Sequence, residues 1–105
     1  MNYSELSDFD INMRVADAVE KSEGREIGPA LPDYCNLSSN AWPIIAANKI
    51  SLTWDEPESE WCAFDSFLFG LGTWDMAKEP EIYYHHANPI RAAMIVYLMM
   101  QEQKA

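Results

Sequence analysis

The stretch "HHANPIRAAMIVYLMM", residues 85–100, decides how the rest of the chain must be arranged. Asn88 can accept a hydrogen bond from a free backbone N–H at a helix start, and Pro89 suits the first helical position because its missing N–H costs nothing there. The run from Ala92 to Met100 is apolar around the whole circumference. We therefore predict a helix over residues 87–103 that other elements cover on more than one side.

An earlier helix is predicted over residues 7–21. Ser7 is a suitable N-cap, and the acidic residues that follow it meet the positive end of the helix dipole. The pattern indicates an amphipathic helix with an ordinary polar outer face, which ends near Gly24 before a loop rich in glycine and proline. Its apolar residues recur at helical spacing, at Ile11, Val15, Ala18 and Val19.

A further helix is predicted in "NLSSNAWPIIAANKI", residues 36–50. It begins at one of the two serines and ends near Asn48. We expect Trp42 and Ile45 to face the core. Because proline removes a hydrogen bond inside a helix, Pro43 is expected within or just after the first turn.

The middle of the chain carries the strand signals. Residues 50–54, "ISLTW", show the period-two alternation of a half-buried strand. The acidic connection "DEPESE" suits a hairpin, so "WCAFD" is the predicted antiparallel partner. "EIYYHH", residues 81–86, is predicted as a third strand, and residues 66–80 as irregular. We therefore predict one α+β domain over residues 1–105, with a small antiparallel sheet of about three strands and helices packed on it.

The chain carries 17 acidic and 7 basic residues, which gives a formal charge of −10. Most of such a surface repels a phosphate backbone, so we expect no direct binding to nucleic acid. Residues 54–82 hold eight acidic side chains against the single Lys78. This excess suits solubility, a basic protein partner or mimicry of a nucleic acid, and composition alone does not choose among them.

The sequence indicates neither secretion nor a membrane. The N-terminal "MNYSELSDFD" lacks the basic and apolar regions of a signal peptide, and the longest apolar run is shorter than the ~20 residues needed to cross a bilayer. Cys35 and Cys62 form no CxxC motif, which favours reduced thiols. We expect a cytoplasmic protein that does not contact a membrane.

Two cysteines and two histidines have the most potential for chemistry. His85 and His86 are neighbours on an extended segment, where they point to opposite sides, and the spacings of a zinc site are absent, so we expect no metal or other cofactor. A Cys/His nucleophilic pair is open, with Cys35 in its loop a better candidate than Cys62. The absence of common catalytic motifs favours a protein that is not an enzyme.

The predicted partner-binding surface consists of the acidic tip of the hairpin and the loop over residues 65–81. Loops on a rigid scaffold tend to hold binding residues, and exposed aromatic side chains mark protein interfaces. Trp74 is the predicted anchor, with closure of the core as the alternative role for that side chain. The candidate residues are Asp55, Glu56, Glu58, Glu60, Phe67, Phe69 and Trp74.

The segments "DYCN", "AWPII", "NKISL", "WCA" and "NPIRAAMIVYLMM" together resemble the NinX-like family of phage and prophage proteins. The resemblance extends from "YSELSD" to the last helix, and residues 66–86 contribute nothing to it. It implies an alpha-beta-alpha sandwich-like domain, encoded among the accessory genes of lambda-like phages and acting in the host cytoplasm. The family has no established activity to transfer, so the resemblance implies a setting but no mechanism.

Three functions stay open on this basis. The leading hypothesis is a non-enzymatic accessory protein that binds and regulates a host or phage protein. The first alternative is an acidic nucleic-acid mimic that inhibits a host nuclease or a DNA-binding defence protein. The second is a small enzyme that uses Cys35 with His85 or His86. The oligomeric state is open as well.

Overall fold

The computed structural model describes residues 2–24, 28, 30–65, 68–69, 76–78 and 81–104. The predicted α+β fold is confirmed, with the predicted order of helices and of the three longer strands. After a 3₁₀ turn at Tyr3–Glu5, the elements are α1 (Asp8–Glu23), α2 (Ser38–Ala47), β1 (Ser51–Asp55), β2 (Glu60–Phe64), β3 (Leu68–Phe69), β4 (Met76–Lys78), β5 (Tyr83–His86) and α3 (Pro89–Lys104).

The three longer strands form one antiparallel sheet in the order β1-β2-β5. In its register Trp54 lies opposite Trp61, and Cys62 lies opposite both Thr53 and His85. The β1–β2 hairpin is the predicted one, because the connection is too short for a parallel crossover.

Strands β3 and β4 pair with each other in a separate two-stranded sheet. This differs from the irregular structure predicted for residues 66–80. Strands of two and three residues contain too few positions to show a period-two pattern, so the sequence carries no signal for this pairing.

Helix α3 is the centre of the fold. It packs against the sheet, mainly through β2 and β5, and against both other helices. Every residue from Arg91 to Leu98 is buried, which confirms that this helix is covered on more than one side. The sheet adds Ala63 to the core, with Leu52 and Tyr84 packed against it. Among the described residues, no helix combines the length and the apolar character that a membrane crossing requires.

Helix α1 begins and ends as predicted. Ser7 Oγ accepts a hydrogen bond from Asp10 N–H at 3.1 Å, and the Asp10 carboxylate accepts one from Ser7 N–H at 3.2 Å. Gly24 ends the helix in the left-handed region, at φ 67°. The prediction of an ordinary polar outer face is wrong, because Phe9 is 60% exposed and Met13 51%. These two side chains are i, i+4 neighbours and form an apolar stripe on the helix.

Helix α2 buries Ala41, Ile44 and Ile45, which are positions i, i+3 and i+4 of one face. Ile45 therefore faces the core as predicted, but the prediction for Trp42 is wrong, since its side chain is 61% exposed. One residue beyond Ala41 means a rotation of about 100° around the helix axis, which turns the indole away from the core. Pro43 lies inside the helix, after its first turn.

Candidate protein-binding surface

The turn that joins β1 to β2 is ordered by its own hydrogen bonds. Ser59 N–H donates to the Glu56 carbonyl at 3.2 Å, and Glu58 N–H donates to Asp55 Oδ1 at 3.5 Å. Ser59 adopts a positive φ of 54°, which lets the chain turn back into β2. We call residues 54–60 the hairpin tip.

Trp54 is the largest side chain of the hairpin tip. It is 44% exposed, yet two contacts hold its indole in place. The ring meets Trp61 edge to face, with centroids 5.5 Å apart and an interplanar angle of 72°. Its Nε1–H donates to Glu56 Oε2 at 2.6 Å. An exposed aromatic side chain that is already fixed loses little conformational entropy when a partner covers it.

The four predicted acidic residues of the hairpin tip have different surroundings. Glu56 and Glu58 are exposed, and Glu56 is committed to the neighbouring indole. Asp55 is half-buried, with its Oδ2 2.9 Å from His85 Nε2. Glu60 is half-buried at the start of β2. Asp55 therefore ties the tip to β5, while Glu56 and Glu58 carry its outward negative charge.

The structure does not describe the side chains of the three aromatic residues predicted for this surface. Phe67 and Trp74 lie outside the described residues, and only the backbone of Phe69 is described, in β3. The role of Trp74 as an anchor stays a prediction. The residue that sequence reasoning missed is Trp54. The alternating pattern of residues 50–54 predicts a half-buried position for Trp54. However, β1 is an edge strand, and α3 contacts it less than it contacts β2 and β5, so the indole protrudes.

A second set of candidate residues lies at the start of α3, around Cys35. Asn88 caps this helix, since its Oδ1 accepts from the N–H groups of Ile90 and Arg91 at 3.0 and 3.3 Å. Its Nδ2 donates to the Cys35 carbonyl at 2.8 Å and to Asn36 Oδ1 at 3.2 Å. The predicted cap is confirmed, and the same side chain joins α3 to the loop before α2.

Arg91 extends this polar network to the N-terminal segment. The side chain is buried, and its guanidinium donates to Asp8 Oδ1 at 2.6 Å and to the carbonyls of Tyr3 and Leu6 at 3.3 and 2.7 Å. A hydrogen bond from Asn36 and then the arginine hold the pKa of the Asp8 carboxyl below its ordinary value, against an opposing effect of burial. Within the described part of the chain, Arg91 Nε is buried without a hydrogen-bond partner.

Cys35 lies inside the network and is completely buried. Its backbone N–H donates to Asn12 Oδ1 at 3.0 Å. Burial, with a smaller contribution from Asp8, raises the pKa of its thiol to about 12. The thiol is therefore less accessible than its loop position indicates, because the loop is folded over it, and the Cys/His enzyme stays an untested alternative.

Cys62 is more accessible, half-buried in β2 and opposite His85. Burial first and Asp55 second raise the pKa of this thiol as well. The two histidines have different neighbours, as expected for adjacent strand residues: His85 faces Asp55, and His86 Nδ1 accepts from Asn88 N–H at 2.9 Å. No group of three metal-binding side chains occurs in the ranges that the structure describes.

We expect iodoacetamide to modify Cys62 at least roughly tenfold faster than Cys35 in the folded protein, because only local opening exposes a fully buried thiol. Peptide mass spectrometry over a time course at constant pH measures both rates. In concentrated urea, the control condition, the two rates should converge. Faster modification of Cys35 in the folded state would contradict its burial.

Asn88→Ala should lower the free energy of unfolding by about 2 kcal/mol, because α3 loses its cap and the Cys35 carbonyl loses a donor. Urea denaturation measures the change. Ser39→Ala is the matched control, since Ser39 is an exposed residue in the first turn of α2, which has no side-chain cap. Its expected effect is below about 0.5 kcal/mol. Equal effects for the two variants would show that Asn88 does not stabilise the fold by joining α3 to the loop before α2.

These observations define a class of protein, a small α+β domain built on a buried last helix, with an acidic and aromatic hairpin tip on its surface. A family model described as "Bacteriophage P22, NinX" matches residues 2–101. The chain belongs to this NinX family and is a phage accessory protein, which confirms the resemblance seen in the sequence. Neither the curated proteins nor the solved structures gave a match to the chain.

Proposed function

We propose that this phage accessory protein is non-enzymatic and binds a host or phage protein through the hairpin tip, in the cytoplasm of the bacterial host. The observation that carries the proposal is Trp54, an exposed tryptophan whose indole is fixed by Trp61 and Glu56. Tryptophan is enriched among the residues that dominate binding energy at protein interfaces. The ordered turn beside it allows a partner to cover the indole without rearrangement of the sheet.

The surroundings of Trp54 favour a basic partner with an apolar recess. Glu56 and Glu58 are exposed in the turn that follows the indole, and the whole chain carries a charge of −10. The recess on the partner receives the indole of Trp54, while lysine or arginine side chains of the partner at the rim of the recess contact the carboxylates of Glu56 and Glu58. Rim charges of this kind mainly raise the association rate, and their effect decreases with salt.

The thiols support a binding role more than a catalytic one. Catalysis by cysteine requires a thiolate, and burial raises the pKa of both Cys35 and Cys62, which favours the uncharged form. Cys35 contributes instead to the core, where its backbone joins the polar network.

Trp54→Ala should weaken partner binding roughly thirtyfold, the scale of loss of a central interface tryptophan. Tagged protein is purified from phage-infected cells, and the retained partner is identified by mass spectrometry and titrated with each purified variant. Trp42→Ala is the matched control, because Trp42 is also an exposed tryptophan but lies on α2. Its affinity should be unchanged. Equal losses for both variants, or none for either, would contradict the assignment.

The acidic excess supports a second candidate, a nucleic-acid mimic that inhibits a host nuclease or a DNA-binding defence protein. Mimicry predicts that duplex DNA competes for the target and that binding weakens steeply with salt. It also predicts that Glu58→Gln lowers affinity more than Trp54→Ala. For a target held through the indole, DNA does not compete and the tryptophan variant has the larger effect.

A further inference from the structure

Strand β1 is an open edge of the three-stranded sheet. Its order is β1-β2-β5, and no strand in the described ranges pairs with the other side of β1. Thr53 and Trp54 are exposed, which agrees with an uncovered edge. Proteins usually protect such edges with lysine, proline, a bulge or a covering segment, since unpaired N–H and C=O groups can pair with another chain. Strand β1 contains no lysine and no proline, its one charged residue is Asp55 at the end, and the register with β2 runs without a bulge.

The charges around β1 fit an antiparallel copy of itself. A two-fold axis through Thr53, the middle residue of the strand, places Leu52 opposite Trp54 of the second copy. The same axis places Lys49, which is exposed just before the strand, opposite Pro57 of the second copy, with Glu56 as the neighbouring acidic residue and Asp55 diagonally across. This attraction occurs twice, once at each end of the paired strands. The two acidic turns lie at opposite ends, so they do not face each other.

We propose that this chain pairs with a second copy of itself through β1, so that the two three-stranded sheets become one continuous antiparallel sheet. Backbone hydrogen bonds between the two edges supply the pairing, and the contacts of Leu52 with Trp54 and of Lys49 with the acidic turn set its register. This inference does not rest on the proposed binding of another protein. Both uses involve Trp54 and the acidic turn, so they exclude each other at one time, and a partner that covers the indole displaces the second copy.

Sedimentation velocity of the full chain over a concentration series tests the pairing. We expect a reversible monomer–dimer equilibrium. Thr53→Lys places two like charges opposite each other across the axis and should weaken dimerisation roughly tenfold. Gln103→Lys adds the same charge at an exposed position of α3 and should leave the equilibrium unchanged. A monomer at every concentration, or a dimer that tolerates Thr53→Lys, would overturn the proposal.

A charge exchange tests the register. Lys49→Glu and Glu56→Lys should each weaken the dimer, and the double variant should recover most of the loss, because the pair is restored with opposite signs. Thermal unfolding of each variant confirms that the monomer is folded. No recovery in the double variant would overturn the register. If the chain is monomeric alone and β1 pairs only with a strand of another protein, the proposal that a second copy occupies this edge is wrong.

Discussion

Ile95→Ala is expected to lower the free energy of unfolding by about 4 kcal/mol. Ile95 is completely buried in α3, the helix that packs against the sheet and against both other helices. A cavity at this position has walls from several elements, and none of them can move inward without disturbing its other contacts. Because domains of this size are stable by about 5–15 kcal/mol, the loss is a large fraction of the total.

Urea denaturation of the Ile95→Ala variant gives this number. Gln103→Ala is the control, because Gln103 is exposed near the end of the same helix. Its expected effect is below about 0.5 kcal/mol. If Ile95→Ala costs less than about 1 kcal/mol, α3 is not the centre of the core.

Arg91→Met should cost about 3 kcal/mol, although methionine is close in length to the buried part of arginine. The guanidinium donates to the Asp8 carboxylate and to the carbonyls of Tyr3 and Leu6, so the methionine leaves these acceptors without that donor. The N-terminal segment then loses its main polar link to α3.

Equilibrium unfolding of the Arg91→Met variant measures the loss. Arg14→Met is the matched control, since Arg14 is an exposed arginine of α1. It should change stability by less than about 0.5 kcal/mol. Similar effects of the two substitutions would show that the buried network does not stabilise the fold.

The helices could be predicted where their signals are local. Ser7 and Asp10 form the reciprocal cap of α1 within one turn, and Asn88 with Pro89 marks the start of α3 in the same way. The apolar run from Ala92 to Met100 also predicts the burial of α3, because a helix that is apolar all round needs cover on more than one side.

The contacts that bury Cys35 could not be predicted, because they join distant parts of the chain. Asp8 and Arg91 are 83 residues apart, and Asn88 reaches Cys35 across 53. A loop position in the sequence indicates exposure on average, but these bonds fold the loop over the thiol. Exposure of Trp42 has a similar origin, since the choice of the buried face of α2 depends on where α3 lies.

Only part of the candidate surface could be predicted from the sequence. Clustered carboxylates between two strand patterns indicate an acidic turn, and the structure places Glu56 and Glu58 there in exposed positions. The fixed Trp54 was not predictable, because its orientation depends on a bond to Glu56 and on an edge contact with Trp61 that exists only in the paired hairpin. The edge position of β1 likewise follows from the strand order, which alternation does not determine.

Hydrogen–deuterium exchange of the protein, alone and with its captured partner, tests most directly the claim that the hairpin tip is the binding surface. We expect the partner to slow exchange in the peptide that contains residues 54–60. The groove beside α1 that Phe9, Met13 and Leu31 line is the internal comparison, and exchange in α1 should not change. Protection along α1 with none in residues 54–60 would show that the partner binds away from the hairpin tip.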